Sequence, residues 1–207
     1  DVLFPLLQSD FTLCKQKSDY LSLLRTTDIS LIERRLKDYL GSILISDEKF
    51  HANGISVTEP NLLPTTAFNY VTNEWVGLHV DNWDRATTIE ARKASRNRIC
   101  VNISAQNRYL LFINLTYGQL CNVTNISYES LEAFRSSPTD LAREFMRQNP
   151  DYPVIKVEVR PGEAYIAPTE NIIHDGYNPC TDNLDLTLTY MGYFLSPAIP
   201  KRDIVFS

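Results

Sequence analysis

From Ala67 onward the chain is a succession of short segments rich in β-branched and aromatic residues, separated by polar turns, and this pattern constrains its fold more than any other feature. The segments are Ala67 to Val80, Arg98 to Ser104, Arg108 to Leu115, Val154 to Val159, Glu163 to Ile166, Asn171 to Tyr177 and Leu184 to Phe194. Alternating short runs of this composition form half-buried strands, because branched side chains pack well on a pleated surface. Ala105-Gln106-Asn107, Pro161-Gly162 and the Asn178 to Asn183 stretch between them have the composition of links joining antiparallel strands. Helical periodicity is confined to two zones. From Ser18 to about Phe50, Leu21, Leu24, Leu31, Ile32, Leu36 and Leu40 recur at helical spacing, with Ser18 and Asp28 as N-cap candidates. A second helical zone runs from Ser127 to Asn149, opened by Ser127 and by Ser137-Pro138 and stopped by Asn149-Pro150. The expectation is one domain over 1–207: N-terminal helices at 18–50, a β core at 67–194 and a helical insert at 127–149. Strands of this kind with helices outside them make a sandwich or barrel with an open mouth.

Charge and composition narrow the function. A net charge of -5 supplies no basic stripe for tracking phosphates, so nucleic acid is not an expected partner. The apolar runs are too short to span a bilayer, so no membrane partner is expected and a soluble, cytoplasmic protein is. The four cysteines, Cys14, Cys100, Cys121 and Cys180, lack CxxC spacing and suit reduced thiols. Asn102-Ile-Ser, Asn114-Leu-Thr, Asn122-Val-Thr and Asn125-Ile-Ser fit the glycan-acceptor pattern and keep a secreted glycoprotein module open as an alternative. Asn102 and Asn114, however, fall inside expected strands.

The chemistry is found at the three histidines. His51 sits in the polar stretch Glu48 to Gly54 and reads as a solvated loop residue. His79 and Asp81, in Gly-Leu-His-Val-Asp, are separated by two positions at the end of a strand, so both side chains project from one face. His174, in Asn-Ile-Ile-His-Asp-Gly on a later strand, can supply a third group. Two neutral imidazoles and a carboxylate on one face of iron(II) leave three coordination positions open.

These motifs, with the Arg108 to Leu115 strand and Pro-Gly-Glu-Ala-Tyr-Ile-Ala-Pro before His174, resemble the 2-oxoglutarate/iron(II) dioxygenase superfamily. The resemblance covers roughly Ala67 to Phe194. It implies a double-stranded β-helix, a jelly-roll or cupin-like barrel, with His79, Asp81 and His174 as catalytic metal ligands. It also implies Fe(II), 2-oxoglutarate and O2 as cofactor and cosubstrates, and hydroxylation of a small polar molecule such as an amino acid or natural-product intermediate. Asp81 is present, which favours a hydroxylase over the halogenases that lack this carboxylate. One departure stands out: the stretch from Asp175 to Tyr193 contains no Arg or Lys where relatives hold the distal carboxylate of 2-oxoglutarate. Arg108 and then Arg98, on strands after the metal motif, are the candidates instead, with Thr187 and Thr189 as additional donors. Trp83, Asp84 and Tyr70, which flank the motif, and Glu170, before His174, are candidate substrate contacts; acidic groups there would favour a cationic substrate. A cupin-like protein that binds a small molecule without turnover is the other alternative.

Overall fold

The computed structural model describes residues 17–26, 29–41, 43–45, 49–58, 68–69, 73–127, 137–178 and 183–195. Two helices, α1 (Lys17–Thr26) and α2 (Ile29–Leu40), are followed by β1 (His51–Thr58) and by the two-residue strands β2 (Phe68–Asn69) and β3 (Glu74–Trp75). Then come α3 (Ile89–Lys93), β4 (Asn97–Asn102), β5 (Arg108–Thr116), α4 (Tyr117–Thr124) and α5 (Pro138–Gln148). The chain continues through β6 (Ile155–Val159), β7 (Ala164–Ala167), β8 (Ile172–Tyr177) and β9 (Asp185–Gly192).

The described strands form two larger antiparallel sheets, ordered β1-β9-β4-β7 and β6-β5-β8, and a separate β2-β3 pair. The backbone at His79 extends the second sheet past β8 through a reciprocal bridge, in which His79 N donates to His174 O at 3.0 Å and His174 N to His79 O at 2.8 Å. The chain therefore passes from β1 to the His79 segment, to β4, to β5 and β6, to β7, to β8 and to β9, changing sheet at every step except the β5 to β6 connection. That winding is the jelly-roll double-stranded β-helix. It corrects one detail of the sequence reading. The short links after β4, β6 and β8 join strands that are not neighbours, each carrying the chain from one sheet to the other.

Alternation along the strands places the core outside the barrel and the polar groups inside it. On β4, Ile99 and Val101 pack with Leu36 and Leu40 of α2, and on β9, Leu186, Leu188 and Tyr190 do the same. Their in-between neighbours Arg98, Cys100, Thr187 and Thr189 face the interior cavity. A second cluster, Val80, Ile113, Tyr117, Leu120, Leu141, Phe145 and Ile173, packs α4 and α5 against the outside of the β5-β8 sheet. Both helices start at capping boxes, Thr116 with Gln119 and Ser137 with Asp140, the latter followed by Pro138 in the first turn.

Several expectations change. The first helical zone ends at Leu40 rather than near Phe50, and the polar stretch from His51 is a strand, because β9 offers it a complete antiparallel partner. His51 opens that strand and is exposed, against Arg96 Nη1. The expected strand from Ala67 to Val80 is broken into the β2-β3 pair and the His79 bridge, with Asn73 and Gly77 at positive φ of 56° and 74°. Of the expected insert, the structure describes the helix Pro138–Gln148; residues 128–136 lie outside the described set. Asn102 is fully buried, its amide donating to Gln106 O and Val159 O, so a glycan has no room there. Cys100 and Cys121 are buried, while Cys14 and Cys180 lie outside the described residues. Among the described residues, no helix is long and apolar enough to cross a membrane.

Candidate metal centre

His79, Asp81 and His174 meet at the mouth of the barrel, each offering one ligand atom, with these atoms all within 4.8 Å of one another. His79 Nε2 is 3.6 Å from Asp81 Oδ1, and His174 Nε2 is 3.6 Å from Asp81 Oδ2. The imidazole rings lie 4.6 Å apart. The backbone explains the convergence. The bridge between His79 and His174 sets the two histidines side by side across the strands, and Asp81 N donates to Thr169 O at 3.0 Å, tying the next turn to the segment before β8.

The ring nitrogens are oriented by local carbonyls. His79 Nδ1 lies 2.7 Å from Gly77 O and His174 Nδ1 lies 3.3 Å from Ile172 O. A carbonyl only accepts, so the proton belongs on Nδ1 in each ring and the Nε2 lone pair is left toward Asp81. Burial pushes the His174 pKa down to about 4, against the pull of the Asp81 carboxylate, so the ring is neutral at physiological pH. Burial acts the same way on His79, but the hydrogen bond and charge of Asp81 outweigh it and raise that pKa above the ordinary imidazole value. Asp81 is opposed by burial too, yet His79, His174 and Arg98 together hold it well below the usual carboxylate range. An ionised carboxylate beside two imidazole Nε2 atoms is, with both rings neutral, a donor set for a divalent transition ion.

Two separate cavities share Tyr165 in their walls: one of about 490 Å³ beside α2, which none of the three residues lines, and an inner one of about 480 Å³. The inner one holds the chemistry. Its wall includes the three convergent residues together with Trp83, Arg98, Cys100, Arg108, Thr187 and Thr189. Arg98 Nη2 lies 2.7 Å from Asp81 Oδ2, and its guanidinium sits 5.8 Å from the Trp83 ring centroid. Arg108 is buried 3.8 Å from Asp185, which keeps its guanidinium charged despite the desolvation that opposes it. His174 Nε2, Arg98 Nε, and Arg108 Nε and Nη1 are all buried without a hydrogen-bond partner. Buried polar atoms ordinarily find partners, so their concentration around one cavity marks where a metal and an anionic ligand fit.

The remaining sequence candidates fall elsewhere. Asp84 accepts from Arg96 N and Nε, both at 2.8 Å, and is turned toward His51 instead of the cavity. Glu170 is 1% exposed, takes a hydrogen bond from Trp83 N and pairs with Arg92 at 3.8 Å. Neither lines the inner cavity, so the acidic wall expected for a cationic substrate is used internally. Tyr70 lies outside the described residues.

Arg92 was not anticipated. It is 1% exposed, donates through Nη1 to Asp81 O at 3.0 Å and to Glu170 O at 2.6 Å, and through Nη2 to Asn82 Oδ1 at 3.1 Å. Its guanidinium covers the Tyr117 ring at 4.6 Å. One side chain thus clamps the loop carrying Asp81 to the segment that leads into His174. The Thr88 N-cap, whose side chain accepts from Ala91 N, sets the short helix from which Arg92 projects.

No protein-family model matches the chain, and no curated protein matches it significantly. Among solved structures it is similar to the Kdo hydroxylase KdoO, a non-heme Fe(II) alphaketoglutarate-dependent dioxygenase, in complex with alphaketoglutarate and Fe(III), at 14% identity and a TM-score of 0.49. That match covers 86% of this chain and 65% of the other, so this chain spans about two thirds of the neighbour's length. The same hydroxylase in complex with succinate and Fe(III) matches with a TM-score of 0.44, at 14% identity and the same coverage of 86% and 65%.

Proposed function

We propose that the chain is an iron(II) oxygenase that uses 2-oxoglutarate and dioxygen to hydroxylate a small polar molecule. The observation that carries this reading is the convergence of His79 Nε2, Asp81 and His174 Nε2 on the wall of a cavity containing two arginines. His79, Asp81 and His174 would hold the iron, which with a bound keto acid and dioxygen would supply the oxidising power.

The chain's own part is binding and orientation. Gly77 O and Ile172 O fix the two imidazoles, and Arg98 holds the outer oxygen of Asp81. Arg108 is the anchor for the distal carboxylate of 2-oxoglutarate. It is the more buried of the two arginines, and its Nε and Nη1 lack an acceptor that a carboxylate would provide. Thr187 and Thr189 line the same wall on β9, although the Thr189 hydroxyl already donates to Gly54 O at 3.1 Å. Thr187 is therefore the better second donor. The carboxylate at position 81 occupies the place a halide would need, which favours hydroxylation.

Anaerobic titration tests the ligand set. Fe(II) should bind once per chain, and His79→Ala, Asp81→Ala or His174→Ala should each abolish binding that His51→Ala leaves intact. Equal iron binding by all four variants would refute it.

A further inference from the structure

We infer that the substrate carries an anionic group, which Arg98 binds above the ring of Trp83 at the cavity mouth. This rests on the function proposed above and names the class of molecule that the same site takes.

The inference starts from what a molecule entering the cavity would touch. Among the described residues lining it, Asp81 is the one carboxylate, 8% exposed and engaged by both histidines and by Arg98. The acids nearest the mouth in sequence lie off the cavity wall, Asp84 paired with Arg96, and Glu170 accepting from Trp83 N with its Oε2 buried 3.8 Å from Arg92. An entering cation would therefore meet a guanidinium and find no free acceptor of opposite charge. An anion meets the reverse. The Arg98 side chain is 17% exposed, the more accessible of the two arginines, and its Nε is buried without a hydrogen-bond partner. A guanidinium presents five donors in a rigid fork, and Arg98 meets Asp81 through Nη2. The Nε edge is left for a second acceptor.

Trp83 supplies the other half. It is 59% exposed, unusual for a large aromatic residue, and it lines the cavity. Its backbone is fixed by the Glu170 carboxylate, and its ring lies 5.8 Å from the Arg98 guanidinium. An exposed indole beside a cation is a platform for a flat or CH-rich molecule whose charged end reaches the arginine. Arg108, deeper and backed by Asp185, serves the cosubstrate, so the two guanidinia divide two anions between them. A substrate acid held at the mouth would place its carbon framework between the indole and the metal residues.

The test uses probes matched in shape: benzoate, benzamide and benzylamine. The full chain is first saturated with Zn(II) and 2-oxoglutarate, each measured by calorimetry, so that Arg108 is occupied and no turnover occurs. Each probe is then titrated while indole fluorescence is followed; the tryptophans are Trp75 and Trp83, and a Trp83→Phe variant identifies the responding ring. Benzoate should bind at least about tenfold more tightly than benzamide, with benzylamine weakest. Arg98→Gln should erase that preference and Arg98→Lys should restore part of it. Trp83→Leu, read by calorimetry, should weaken benzoate while leaving 2-oxoglutarate affinity unchanged. Normal loading with Zn(II) and 2-oxoglutarate followed by equal affinity for the three probes, by no benzoate binding, or by an unaltered preference in Arg98→Gln overturns the substrate assignment alone. Failure of the loading step itself counts against the oxygenase reading, and this inference falls with it.

Discussion

Replacing Arg92 by Met removes the clamp while keeping a long apolar stem of similar volume in a site that is 1% exposed. Three hydrogen bonds are lost, to Asp81 O, Glu170 O and Asn82 Oδ1, together with the ion pair to Glu170 at 3.8 Å and the stack on Tyr117. The larger cost comes from what remains. A buried carboxylate deprived of its partner costs about 3–5 kcal/mol, and a buried carbonyl without a donor about 1–3 kcal/mol. These penalties overlap, because Glu170 keeps the hydrogen bond from Trp83 N and the loop can relax toward water. A loss of about 4 kcal/mol is expected, which in a domain of this size lowers Tm by roughly 8–16 °C. Urea unfolding with circular dichroism measures it. Neutralising the stranded acid in Arg92→Met/Glu170→Gln should recover about 1–2 kcal/mol, a coupling that a double-mutant cycle isolates. At temperatures where Arg92→Met remains folded, its affinity for Zn(II) should still be reduced at least about tenfold, because the two metal-binding segments are no longer tied. A loss under about 1 kcal/mol, or strictly additive effects of the two substitutions, would refute the clamp argument.

Arg108→Ala should weaken 2-oxoglutarate binding to the Zn(II) form about a hundredfold while sparing metal affinity, and Arg98→Ala should weaken it far less; calorimetry reads both. Asn102→Leu removes an amide whose Nδ2 serves two carbonyls and whose Oδ1 accepts from Ser104 N. It should destabilise the fold by about 2–4 kcal/mol in urea, and wild-type protein passed through a secretory host should carry no glycan at Asn102 by peptide mass mapping. Gly192→Ala would set a Cβ 2.9 Å from Phe50 Cδ2 and 3.1 Å from Phe194 Cζ, and should cost about 1–3 kcal/mol by overpacking the stack of Phe50 on Tyr190.

Much of this was legible because the barrel strands obey a simple rule. Alternation on β4 and β9 separates Ile99, Val101, Leu186 and Leu188 from Arg98, Cys100, Thr187 and Thr189, and His79 and Asp81, two residues apart, come together although no regular strand surrounds them. The same local rule could not tell which strands are neighbours, since pairing is fixed by contacts far apart in sequence. Nor could it find β1, whose polar composition is overridden by the β9 edge that receives it. The helices α3 and α4 were missed although Thr88 and the Thr116 to Gln119 capping box announced both. Arg92 carried no signal, because a lone arginine on a short helix resembles any solvated charge. The acidic substrate contacts failed for a related reason: nearness to the metal motif in sequence says nothing of the partners, Arg96 and Arg92, that claim Asp84 and Glu170.

The central claim, that this cavity holds iron and 2-oxoglutarate together, is tested most directly by adding the keto acid to the anaerobic Fe(II) protein and recording its visible spectrum. Chelation of the metal by the keto acid should produce a weak charge-transfer band, absent from His79→Ala and His174→Ala, and admission of air should then release succinate slowly. A chain that binds Fe(II) yet gives neither band nor succinate would contradict the account.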